Sequence, residues 1–212
     1  TAPFILHSRR LKETPNARRS FYPARKVRMS DPSGDKVILD LCGGTGAWSK
    51  PYKDAGYDVR LITLPDQDVR IYIPPPNVYG ILAAPPCTHL AVSGARWWKA
   101  KGIEALYEGL AVVDACLRII WRSNPVFWAM ENPTGRLTRY LDKPFFKFDP
   151  CDFGDPYTKK TCLWGKFNIP TKHPVEPTGK NFIWTMPPGS DRTKRRSITP
   201  AGFARAFYEA NR

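Results

Sequence analysis

The run Tyr79-Gly80-Ile81-Leu82-Ala83-Ala84 stops at Pro85-Pro86, and that stop constrains the fold more than any other stretch of the chain. Proline has no N–H to give to a ladder, so a strand cannot continue through the pair. The length and flanks of the apolar run are those of a buried strand. In open α/β sheets the carboxyl ends of the strands form the rim where ligands bind. Cys87 follows the prolines directly, so the stop puts a thiol on that rim. A free cysteine is also among the most buried residue types. On this stretch alone a displayed thiol and a packed one both remain open.

Two more strands carry the same kind of ending. Lys36-Val37-Ile38-Leu39-Asp40-Leu41-Cys42 leads at once into Gly43-Gly44-Thr45-Gly46, and Ala47-Trp48-Ser49-Lys50 opens a helix that ends near Gly56. A strand, a glycine turn and a helix start can cradle a nucleotide, because glycine permits close backbone approach and a helix start offers N–H groups. The spacing is not the dinucleotide GxGxxG, and a plain structural turn is the alternative. Val126-Phe127-Trp128-Ala129-Met130 is a buried strand that gives way to Glu131-Asn132-Pro133. Packing does not explain a carboxylate at the tip of an apolar strand. Partial burial would raise its pKa and let it donate a proton near neutrality; a loop or capping carboxylate is the alternative.

The remaining elements follow in order. Tyr57–Leu64 is a second strand, with Asp66 and Asp68 just past its end, where nucleotide sites carry an acid for ribose hydroxyls. Ala95-Arg96-Trp97-Trp98-Lys99 mixes cations with indoles, which suits a nucleic-acid base or phosphate as well as a loop anchored to the core. Ile103, Leu106, Tyr107, Leu110, Val113, Leu117 and Ile120 recur at helical spacing, and Asn124-Pro125 ends that helix. Residues 134–160 read as irregular, Thr161–Gly165 as a short strand and 166–190 as ordered loop. Thr199-Pro200 reads as N-cap and first position of a terminal helix, Ala201–Asn211.

Charge points to a partner. The net charge is +14, and half of it lies in residues 1–30. A second knot, Arg192-Thr193-Lys194-Arg195-Arg196, stands near the other end. Such clustering fits a polyanion, most simply nucleic acid. The five cysteines are scattered, with no CxxC, which argues against a disulfide framework or zinc ribbon and for a reducing compartment. No metal frame is read. No apolar run nears the ~20 residues of a membrane span, and the opening residues turn basic too soon for a signal peptide.

Taken together, these residues resemble the C5-cytosine DNA methyltransferase family. Asp40-Leu41-Cys42-Gly43-Gly44-Thr45-Gly46 is similar to its S-adenosylmethionine loop. Pro85-Pro86-Cys87, followed by Ser93-Gly94, is similar to its catalytic loop, and Glu131-Asn132-Pro133 to its Glu-Asn-Val element. Asp68-Val69-Arg70 resembles the Asp-Ile element that contacts adenine. Phe153–Lys160 is similar to the Pro-Gln-x-Arg-x-Arg segment, and Arg196-Ser197-Ile198-Thr199-Pro200 to the Arg-x-Leu-Thr-Pro segment. The order also matches, over residues 36–210.

The resemblance implies an α/β, Rossmann-like S-adenosylmethionine-dependent methyltransferase fold, mostly parallel and with helices on both faces. It implies a basic arm over 1–35 and a catalytic domain over 36–212. Cys87, Glu131 and Lys159 would be catalytic. Asp40, Cys42, Gly43, Gly44, Gly46, Trp48, Leu64, Asp68 and Pro85 would hold S-adenosylmethionine. Ser93, Arg96, Asn132, Thr161, Arg195 and Arg196 would meet DNA, either a duplex with a flipped base or a single strand. A cytoplasmic, nucleoid-associated protein of a bacterial or phage-infected cell follows.

The sequence departs from the family at several points. The region between the last two segments, 166–195, has about thirty residues where fuller members carry a target-recognition domain, too few for a domain; a partner supplying specificity is one consequence. Lys159 and Thr161 stand where the family has arginines, Pro133 replaces valine, Thr88 replaces the usual glutamine, and Ala91 stands where a serine often contacts phosphate. RNA or a nucleotide as substrate, and a non-catalytic DNA-binding scaffold, are the alternatives.

Overall fold

The structure is a computed structural model that describes residues 36–178, 189 and 192–212. The basic arm, 1–35, and residues 179–188 and 190–191 of the 166–195 loop lie outside the described residues. The strands are β1 Val37–Leu41, β2 Asp58–Ile62, β3 Val78–Ala83, β4 Phe127–Pro133, β5 Phe146–Phe148 and β6 Thr161–Lys166. The helices are α1 Lys50–Asp54, α2 Trp98–Lys101, α3 Glu104–Ser123, α4 Arg192–Ser197 and α5 Ala201–Ala210.

The strands form one sheet in the order β2-β1-β3-β4-β6-β5. The first four are parallel, and β6 runs antiparallel to both β4 and β5. Residues in β1 and β3 are buried on both faces, as a parallel sheet under two helical layers requires. Leu39, Leu41, Ile81 and Met130 face α3, which meets them with Leu106, Val113, Cys116, Ile119 and Ile120. Ile38, Leu82, Ala129 and Leu163 face an aromatic layer of Trp48, Tyr52, Phe148, Phe153, Phe203 and Phe207. This is the Rossmann-like α/β arrangement expected. Among the described residues no helix is long and apolar enough to cross a membrane.

The strand order reverses at β1, whose neighbours are β2 on one side and β3 on the other. The crevice outside the carboxyl ends of β1 and β3 is therefore the switch point where such sheets bind ligands. Hydrogen bonds hold that rim level: Cys42 N–H donates to Ile62 O at 2.8 Å, and Ala84 N–H to Leu41 O at 2.9 Å.

Four details differ from the sequence reading. Strand β4 does not end at Met130. It runs through Glu131, Asn132 and Pro133 because β6 continues the pairing past the end of β3, with Glu131 opposite Leu163 and Pro133 opposite Thr161. Helix α1 begins only at Lys50, since the glycine loop keeps turning through Trp48. The stretch 134–160 is not wholly irregular: it contains β5 and two short 3-10 turns, 136–139 and 150–153.

The fourth difference is the cap of α5. Thr199 makes no side-chain cap. Instead Asp155, far away in sequence, accepts the Gly202 N–H at 2.9 Å through its Oδ2. A carboxylate at a helix start is favoured by the free N–H groups and the dipole there. The approach is close: a Cβ on Gly202 would stand 1.8 Å from the Phe153 carbonyl oxygen. Gly202→Ala is therefore expected to lower unfolding stability by more than about 2 kcal/mol, and Asp155→Ala by about 1 kcal/mol. Urea unfolding of both variants checks the order; equal losses would show that the cap, not the backbone approach, governs the junction.

Candidate active site

Two clusters stand on the carboxyl rim. The first is the loop after β1. Asp40 is fully buried within the strand; its Oδ2 accepts the Ser49 hydroxyl at 2.5 Å. Its Oδ1 is buried with no partner among the described residues. A Cβ on Gly43 would lie 2.1 Å from that oxygen, so the loop backbone rests on the carboxylate and only glycine fits. Gly44 and Gly46 take φ of +57° and +71°, the left-handed region that glycine enters without penalty. Cys42 also sits there, at φ +58°, a costly state for a residue with a Cβ. Burial pushes the Asp40 carboxyl up to about 6, with the Ser49 hydrogen bonds opposing it.

Residues from three other segments border this loop. A hydrogen bond with Cys116 holds the Cys42 thiol below its ordinary range, against burial and the charges of Asp40 and Asp68. The Asp68 charge is felt at this loop, and Arg70 grips Asp68: the Arg70 backbone N–H donates at 2.9 Å and its Nη2 at 2.5 Å. Arg118 of α3 donates to the carbonyls of Val69, Arg70 and Tyr72 at 3.1, 3.3 and 3.2 Å. This clamp was missed in the sequence, where a cation near the polar edge of an amphipathic helix gives no sign of what it grips. Leu64 is exposed at the end of the β2 segment. Trp48 corrects the sequence reading. Its ring is 1% exposed, 5.8 Å from Phe203 and 5.4 Å from Phe207. It is a core side chain with no face open to a cofactor.

The second cluster joins the ends of β3 and β4. Asn132 is buried and its Nδ2 donates to the Pro85 carbonyl at 2.8 Å. The chain then turns over Cys87, whose carbonyl accepts from Leu90 and Ala91 N–H at 2.9 Å each. Val92 N–H donates to Thr134 O and Arg136 N–H to Leu90 O, both at 2.8 Å, so this loop is stitched to the segment after Glu131. Gly135 makes the stitch possible: a Cβ there would meet the Leu90 oxygen at 2.0 Å.

Cys87 and Glu131 are both half-buried. Burial pushes the Cys87 thiol up, and the Glu131 charge adds to it; Lys159 and Arg196 pull it back. Burial likewise raises the Glu131 carboxyl, against Lys159. The four side chains therefore share one neighbourhood. Lys159 is fixed from three sides. Its Nζ donates to the Arg196 carbonyl at 3.0 Å, its N–H to Asp149 Oδ1 at 2.9 Å, and its carbonyl accepts the Thr161 hydroxyl at 2.7 Å. The role expected of Thr161 and Asn132, contact with DNA, does not match their positions. Both are buried, at 3% and 1% exposure, with partners inside the protein; their side chains position Lys159 and Pro85. Ser93, Arg96 and Arg195 are exposed, the first two on the turn 92–97 that follows the Cys87 loop. Among the described residues no group of three His, Cys, Asp or Glu side chains is placed to hold a metal ion.

No family model matches this chain, and no curated protein does. Among solved structures, one described as a "putative DNA modification methyltransferase" encoded within an Escherichia coli prophage is similar to it. The match has a TM-score of 0.43 and 15% identity, and covers 72% of this chain and 55% of that one. An overlap so loose carries no argument about activity, and the fold is read from the sheet itself.

Two titrations follow. The raised Asp40 pKa means that the folded state holds its proton above the unfolded value of 3.8. Stability from this group is thus present below that value and is lost as pH rises towards about 6. The full loss is about 3 kcal/mol, most of it between pH 4 and pH 7, and in Asp40→Asn it should vanish from the difference between unfolding curves at those two pH values. For Cys87, alkylation by iodoacetamide, followed on its own peptide, should rise with pH with a midpoint above the ~8.5 of a free cysteine. Glu131→Gln should lower that midpoint and Lys159→Met should raise it. Shifts in the opposite directions would break the proposed grouping.

Proposed function

We propose that the chain transfers a methyl group to carbon 5 of cytosine in DNA. The observation that supports this reading is the convergence of Cys87, Glu131 and Lys159 at the ends of β3 and β4, beside a glycine loop at the switch point. Carbon 5 of cytosine is a poor nucleophile. Addition of the Cys87 thiolate to carbon 6 pushes electron density to carbon 5 and leaves negative charge on the ring. A protonated Glu131 hydrogen-bonds ring nitrogen 3 and takes up that charge. Lys159 favours the thiolate before addition. Loss of the carbon 5 proton to a base and departure of the thiolate from carbon 6 restore the aromatic ring and return the enzyme to its starting state.

The first loop fits S-adenosylmethionine on two counts. Gly44 opens on space, with no atom within 4 Å of a Cβ built there, and Asp40 keeps an unpartnered buried oxygen beneath the turn. Asp40, Cys42, the glycines 43, 44 and 46, and Asp68 would hold it; Leu64 and the buried Pro85 would border it. Bound there, it would supply the electrophilic methyl. Arg195 and Arg196 on α4, with Ser93 and Arg96, would meet the DNA backbone, an attraction that salt weakens. With so short a 166–195 region, sequence preference would be loose or supplied by a partner, and such a protein would work in the cytoplasm beside its DNA.

Transfer of a tritiated methyl to single-stranded DNA, duplex DNA, RNA and dCMP, compared in one assay, tests the reading. Label should appear as 5-methylcytosine. Cys87→Ala should lose at least about 10³-fold of the rate, and Glu131→Gln on the order of 10²-fold. Activity of Cys87→Ala equal to the parent protein sinks the mechanism. Label found only on RNA or dCMP moves the substrate while keeping the chemistry.

A further inference from the structure

Beside the Cys87 loop stands a surface of cations and indoles that the chemistry does not use. From Thr88 to Ile103 the chain has no acidic residue, while Arg96, Lys99 and Lys101 are exposed. Arg136 joins them from the turn after Glu131. The two adjacent tryptophans are not equivalent. Trp98 is half-buried, and Arg136 covers its ring, with Cζ 3.9 Å from the centroid. Trp98 is therefore a wall. Trp97 is 53% exposed, and Arg96 lies over its ring more loosely, with Cζ 5.1 Å from the centroid. The surface is tied to the Cys87 loop: Lys101 Nζ donates to the Thr88 carbonyl at 3.4 Å, and Arg136 N–H donates to Leu90 O at 2.8 Å.

A large, exposed indole amid cations matches the chemistry of an unpaired base on a phosphate backbone. In a duplex the base faces are already stacked and out of its reach. We propose that this ledge binds single-stranded DNA, with a base next to the target stacked on Trp97 and its phosphates against Arg96, Lys99 and Lys101. The ledge rests on the function proposed above only for what Cys87 does to the target; binding stands apart from chemistry and is tested apart.

A fluorescein-labelled oligodeoxythymidine lacks cytosine and reports binding without reaction. Its fluorescence anisotropy with the full chain should show saturable binding, stronger than for a duplex of equal length. Trp97→Ala should weaken it about tenfold, and Trp97→Phe should restore most of the loss because a π-face returns. Replacing Arg96, Lys99 and Lys101 together by glutamine should make the log–log salt slope shallower by about 2. Unchanged binding by Trp97→Ala, an equal loss on the duplex, or tighter binding of oligouridine than of oligodeoxythymidine each overturns the proposal. Normal oligodeoxythymidine binding without methyl transfer to any substrate would instead sink the catalytic reading and leave the ledge standing.

Discussion

One buried hydrogen bond, from the Asn132 amide to the Pro85 carbonyl at 2.8 Å, decides where Cys87 and Glu131 stand. Pro85-Pro86 ends β3 and leaves the Pro85 carbonyl with no ladder partner. A buried carbonyl left unpaired costs about 1–3 kcal/mol, and Asn132 is the residue next to Glu131. The same contact therefore ends one strand, fixes the approach to Cys87 and orients the tip of the next strand. The antiparallel run of β6 supports it from behind, because it holds Asn132 in register opposite Cys162. The Gly135 stitch then closes the loop over the top. Neither Cys87 nor Glu131 has to be tethered by its own side chain.

The electrostatics follow from that placement. Burial favours the neutral form of both groups, and the Glu131 charge further disfavours a Cys87 thiolate. A protonated Glu131 removes that penalty. Burial of the carboxyl, by raising its pKa, thus acts against the charge that disfavours the thiolate, while burial of the thiol itself still disfavours it. Lys159 acts against burial at both groups, so its position is critical, and Asp149, Thr161 and the Arg196 carbonyl all fix it. The last of these ties the basic helix α4 to Lys159 through one hydrogen bond.

How much of this was legible in the sequence depended on whether the cause was local. The strands were readable because proline, glycine and asparagine punctuate them: Pro85-Pro86 ends β3, Gly43–Gly46 follows β1, and Asn124, at φ +45°, closes α3 by donating to the Ile120 carbonyl. Long-range partners were not readable. The extension of β4 through Pro133 depends on β6, the cap of α5 on Asp155, and the posture of the Asp68 segment on Arg118. Trp48 misled for the same reason. Its place beside the glycine loop suggested a ligand contact, but the aromatic layer under α5 offers an indole a dry site, and a side chain of that size gains more there than on a wet rim. Thr161 and Asn132 are polar residues near Cys87 and Glu131 that turned out to serve neighbours.

The opposite rim of the sheet shows what a purely structural use of the same side-chain types looks like. A hollow of about 220 Å3 opens there between Tyr79, Phe127, Lys166 and Asn168. It has polar groups and a cation, as the carboxyl rim does. Its amides, however, are spent on each other: Asn168 N–H donates to Asn211 Oδ1 at 2.7 Å, and Asn211 Nδ2 donates back to the Asn168 carbonyl at 3.0 Å and to Phe207 O at 2.9 Å. These bonds fasten the end of α5 to the sheet. At the carboxyl rim the pattern is reversed. Asp40 and Asn132 each keep one buried oxygen unpartnered among the described residues, while Cys87 and Glu131 carry raised pKa values. Buried polar groups that are fully satisfied stabilise a fold. Those left half-satisfied persist at a cost in stability that another requirement must outweigh, and the binding and chemistry proposed for the switch point would supply one.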